Sequence, residues 1–106
     1  MSLLQDIASL LLDIWESIKK TFVRVLKFFK NIVNWFRSDG RMKKVQQEKN
    51  LVANTIKMKL GQKDYAVANI FNTETNEMED VEAFEYEELD EETKSRFGNK
   101  DMVVIM

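Results

Sequence analysis

The residues best equipped for chemistry in this chain are carboxylates. Positions 74–92, ETNEMEDVEAFEYEELDEE, hold eleven acids and no base. A pair such as Glu87 and Asp90 has the residue types of a general acid and a general base. Eleven carboxylates packed this densely make some such pair inevitable, so spacing alone assigns no catalytic role. Calcium needs about six to eight converging oxygens, and the helix-loop-helix site that usually binds it needs a glycine at the loop's sixth position. That spacing is absent here. Acids alternating along a strand more simply form a solvent face and guard an edge from mispairing.

The chain has no histidine and no cysteine. The commonest general base and transition-metal ligand is therefore missing, as are thiolate nucleophiles and disulfides. No phosphate-cradling glycine loop, nucleophile elbow or metal-ligand cluster is present. The expectation is a non-enzymatic protein with no catalytic, cofactor-binding or metal residue.

A length of 106 residues fits one domain, or one small domain plus an appendage, and 44% hydrophobic with 32% charged residues describes a folded chain. The net charge of −2 hides a segregation. Residues 1–18 carry Asp6, Asp13 and Glu16 without a base; residues 19–44 carry nine bases against Asp39 alone. Blocks of this kind concern partners or self-docking.

These charges must be positioned by elements, and the first 37 residues read as one amphipathic helix. Leu4, Ile7, Leu11, Ile14, Ile18, Phe22, Val25, Phe29, Ile32 and Phe36 fall on one line at about 100° per residue. The recurrence every eleven residues (Leu3, Ile14, Val25, Phe36) keeps that face straight and argues against a two-stranded zipper. Ser38-Asp39-Gly40 interrupts it, with Gly40 in the left-handed position and Ser38 or Asp39 capping a second helix over 41–60 that stops at Gly61.

From Asp64 the period becomes two. A strand to Phe71, a turn over 72–77 with Asn76 at positive φ, and an antiparallel strand over 78–87 form a hairpin, with a bulge near Ala83–Phe84. Asp90 caps a short helix ending at Phe97-Gly98, and 102–106 reads as a buried last strand. The predicted fold is α+β: a long N-terminal amphipathic helix (1–37), then a small α-β-β-α-β domain (38–106).

A domain of that size has little surface to cover a helix face about 50 Å long. The face should therefore meet a second copy, another protein or a membrane. Leu11, Ile18, Phe22, Val25, Phe29 and Ile32 would carry the energy, each large apolar side chain contributing about 1.5–3 kcal/mol on burial. Trp35 and Phe36 extend the face, and Lys19, Lys20, Arg24, Lys27 and Lys30 form a basic rim that sets register or partner. The expected role is a structural or adaptor subunit, as a homo-oligomer or bound to a protein partner. The alternative is a peripheral protein lying on an anionic membrane. A nucleic-acid partner is not expected, since the acidic block would repel phosphate. The start lacks a secretory pattern, and the lysines between Trp15 and Trp35 argue against a spanning helix, so a cytoplasmic, possible membrane-associated location is expected. The acidic hairpin is the natural counterpart of the basic block, within one chain or between neighbours.

Overall fold

Residues 2–37 do not form one helix. In the computed structural model, which describes residues 2–105, they divide into helix α1 (Leu3–Asp13), strand β1 (Lys19–Leu26), and a π-helical segment (Phe28–Val33) that runs into α2 (Asn34–Arg37). Ser2 caps α1 by accepting from the Gln5 amide at 3.1 Å. The helix ends where the Ser17 hydroxyl donates to the Ile14 carbonyl at 2.8 Å and a tight turn (Trp15–Ser17) redirects the chain. Such a local side-chain bond competes with helix continuation. Beyond it, β-branched residues take every second position. Thr21, Val23 and Val25 are half-buried, whereas Lys20, Phe22 and Arg24 are exposed, the alternation of an amphipathic strand.

The second expected helix is likewise divided. α3 covers Arg41–Gln47, and β2 takes Leu51–Leu60. Gly40 adopts φ 72° as expected, but it is itself the N-cap of α3, with no capping side chain from Ser38 or Asp39. Gly61 is no helix stop: at φ 64° it opens the two-residue turn from β2 to β3 (Lys63–Asn72), where a small residue is needed at positive φ.

The later elements follow the sequence closely. Asn72 Oδ1 accepts from the Glu74 and Thr75 amides, and Asn76 sits at φ 58° before β4 (Glu77–Leu89). Asp90 caps α4 (Glu91–Phe97), and Gly98 follows at positive φ. The bulge lies elsewhere than expected. Ile70 pairs with Asp80 and Phe71 with Met78, so Glu79 is the extra residue. Val81 and Ala83 meet one helix layer while Phe84 and Tyr86 meet the other, which is two-sided burial and no slip of the strand.

The five strands form one mixed sheet in the order β1-β4-β3-β2-β5, with β1 parallel to β4 and the other pairs antiparallel. Helices with a mixed sheet make the chain α+β. α1 covers one face, packing Ile7 and Leu11 with Ile56, Val67 and Phe71. The π-helical segment, α2 and α3 cover the other, where Ile32, Trp35, Phe36 and Val45 meet Ala53, Ala66, Ala68 and Phe84. Much of the apolar half of residues 2–37 is thus covered on the two faces of a sheet to which the same residues contribute a strand, and the cluster on each face draws side chains from both before and after residue 38. β5 (Met102–Val104) is a short edge strand, with Val104 53% exposed, instead of a buried one. Met106, the end of the expected strand, lies outside the described residues.

On the α1 face, Asn54 and Asn69 are fully buried and directly opposite one another in β2 and β3. Each amide nitrogen donates to the other's carbonyl oxygen at 3.0 Å. On the other face the buried Thr55 hydroxyl has no hydrogen-bond partner among the described residues.

Candidate functional site

The basic block of the sequence lies against the acidic block inside the chain. β1 runs parallel to β4 from Lys19, opposite Glu82, to Leu26, opposite Leu89. Lys19 Nζ is 4.0 Å from Glu82 Oε1, and Arg24 Nη1 is 3.4 Å from Glu88 Oε2. Glu82 also accepts from the Thr21 hydroxyl at 2.7 Å and from the Trp35 indole N–H at 3.1 Å. Further along, Arg41 reaches Asp80 at 2.6 Å while its guanidinium lies 4.0 Å over the Trp35 ring, and Lys44 meets Glu79 at 2.8 Å. A hydrogen bond from Lys44 chiefly holds the Glu79 carboxyl below its ordinary value, and the same bond raises Lys44.

The residues nominated for interaction therefore separate into two groups. Leu11, Ile18, Ile32, Trp35 and Phe36 are buried within the chain, and Val25 is half-buried. Phe22 and Phe29 remain 55% and 52% exposed. All five basic residues, Lys19, Lys20, Arg24, Lys27 and Lys30, are exposed. Lys20 folds back on the turn before β1, donating to the Trp15 and Ile18 carbonyls with its ammonium 4.7 Å from the Trp15 ring.

At the far end of β1 the surface is concave. Val23, Arg24, Val25, Lys27, Lys30 and Asn31 line an open depression of about 380 Å³. Asn31, one of its lining residues, accepts the Lys27 amide at 2.8 Å. Arg24 has Glu88 within reach, but among the described residues no carboxylate lies within ion-pair distance of Lys20, Lys27 or Lys30. Arg96 of α4 joins this region, its guanidinium 5.7 Å from the Phe29 ring and 5.0 Å from that of Phe28. Sequence reasoning missed Arg96, because nothing local links it to residues almost seventy positions earlier.

The outer side of β1 is open. Among the described residues, no main-chain hydrogen bond joins Lys19–Val25 to any element except β4. Alternate residues of a strand turn their N–H and C=O to opposite sides, so half of β1 presents unpaired peptide groups outward.

Asp90, named above with Glu87 for its residue type, is a structural group. Burial pushes its carboxyl up, but bonds from the Thr93 hydroxyl and the Thr93 and Phe28 amides outweigh this and hold it below its ordinary value. Glu87 is exposed. Among the described residues no three acidic side chains converge as a metal site, and no helix is long and apolar enough to cross a membrane. No protein-family model matches the chain, and comparison with curated proteins and with solved structures finds no match.

Proposed function

We propose that this chain is a non-enzymatic adaptor or structural subunit that joins a partner protein through β1 and the π-helical segment after it. The observation that carries this reading is the contrast within the nominated set. The fold buries Trp35 and Phe36 yet leaves Phe22 and Phe29 more than half in water. Exposed large aromatics next to rigid main chain are the usual anchors of protein interfaces, and a basic rim steers an acidic partner toward them. The absence of histidine and cysteine from the sequence supports a binding role over a catalytic one.

A second reading, peripheral attachment to anionic lipid, draws on Lys27 and Lys30 beside exposed Phe29, which together resemble an interfacial anchor.

A photoreactive phenylalanine analogue at position 22 or 29, introduced in the native cell, separates the two. The protein reading expects one discrete protein adduct from both positions and none from position 76, in the distant β3–β4 turn. Absence of a protein adduct, together with recovery of the chain on phosphatidylserine vesicles, contradicts it in favour of lipid.

A further inference from the structure

We infer that the partner is an extended acidic segment of another protein, added to the sheet as a sixth strand along the outer edge of β1. This inference rests on the reading of β1 as the interaction surface and adds to it the class of partner and the mode of contact.

Three observations converge. β1 is an eight-residue edge strand whose outward peptide groups over Lys19–Val25 are unpaired among the described residues, whereas β5, at the opposite edge, is only three residues long. A partner strand gains one ladder of main-chain hydrogen bonds along β1 and almost none along β5. Next, the chain already shows what this strand accepts on its inner side. β4 is acidic, and its Glu82 and Glu88 meet Lys19 and Arg24. The same basic chemistry recurs around the outer edge: among the described residues Lys20, Lys27 and Lys30 have no carboxylate within ion-pair distance, Lys20 donating instead to the Trp15 and Ile18 carbonyls. Finally, the edge runs into the depression bounded by Arg24, Lys27 and Lys30, where carboxylates at the end of an added strand would sit.

Lysines on an edge strand ordinarily prevent pairing. Here they select. A second copy laid antiparallel so that Phe22 meets Phe22 would bring Lys20 opposite Arg24 twice, and like charges directly opposite are unfavourable. An acidic strand places a carboxylate at each of those positions. Phe22, on the same edge, offers it an apolar anchor.

The test uses the full chain and a fluorescein-labelled peptide of five glutamate-threonine repeats, read by anisotropy and by amide exchange. The expected result is saturable binding of this peptide but not of its lysine-threonine counterpart. Amides of residues 19–26 that exchange freely in the chain alone should become protected. The double variant Lys20→Glu, Lys27→Glu should weaken binding by roughly tenfold or more, with the amide spectra of β2, β3 and β5 unchanged. Binding without new protection in β1 would overturn strand addition while leaving the interaction surface intact. No peptide binding, with binding to phosphatidylserine vesicles or a single-stranded oligonucleotide, would overturn the acidic-protein partner. No binding to any of these probes would overturn this inference, and the crosslinking result then decides the broader reading separately.

Discussion

The Trp35 indole N–H donates to Glu82 at 3.1 Å, tying the helix that follows β1 to the strand on which β1 lies. Glu82 is also held by Thr21, and its side chain is only 14% exposed. Its close partners are thus two neutral donors, while Lys19, 4.0 Å away, stays in water. Glu82→Ala should cost about 1–3 kcal/mol, because the Trp35 and Thr21 donors lose their acceptor. Glu88→Ala, whose ion pair with Arg24 is exposed on both sides, should cost less than about 1 kcal/mol. Urea unfolding of the two variants measures the contrast, and equal losses would show that Glu82 has no special place.

The Asn54–Asn69 pair predicts a reversal between single and double variants. Asn54→Val or Asn69→Val leaves a buried amide facing an apolar side chain, at a cost of about 1–3 kcal/mol. Changing both removes the unpaired groups together, and stability should return to within about 1 kcal/mol of the parent. A double-mutant cycle with additive losses would contradict the pairing.

Thr55 offers the opposite sign. Its hydroxyl is buried without a partner among the described residues, so Thr55→Val replaces an unsatisfied group by a methyl of similar shape. Stability should rise, by about 1 kcal/mol, and the urea midpoint should move upward with an unchanged slope.

Asp90 makes stability depend on pH in a defined direction. Its carboxyl titrates below the ordinary 3.8 in the folded chain, so the folded state binds fewer protons there. The resulting stability is present above pH 3.8 and is lost as pH falls through the lower folded value. Asparagine is an equally good helix cap without the charge. Asp90→Asn should therefore melt below the parent at neutral pH, and the gap should close as the pH falls below 3.8. A gap independent of pH would assign Asp90 a role without charge.

The C-terminal half of the fold was legible because its signals are local. The alternation from Tyr65 to Phe71, the Asn76 turn, the Asp90 cap and the Phe97-Gly98 stop each need only a few residues. The N-terminal half was misread because a spacing of four belongs to both periods. Ile18–Phe22–Leu26 and Val52–Ile56–Leu60 line one face of a helix and also recur at even steps along a strand. The deciding signal was the β-branched set Thr21, Val23 and Val25 at alternate positions, with Thr55 and Ile56 in the second case. The parallel pairing of β1 with β4 joins residues more than sixty positions apart, for which no local pattern exists. Its one trace in the sequence was the opposition of the basic and acidic blocks. At the candidate site the basic residues were legible, but which aromatics stay exposed was not. That depends on which side of the sheet each segment packs.

The proposed interface requires β1 to be a strand paired on one side and open on the other. Amide hydrogen exchange of the free chain, resolved residue by residue over 19–26, tests this. Slow and fast amides should alternate along β1, the slow ones facing β4, with the pattern unchanged by protein concentration. A uniformly slow stretch with helical contacts between residues three apart would contradict the strand, and protection of both sides that grows with concentration would show the outer edge already taken by a second copy.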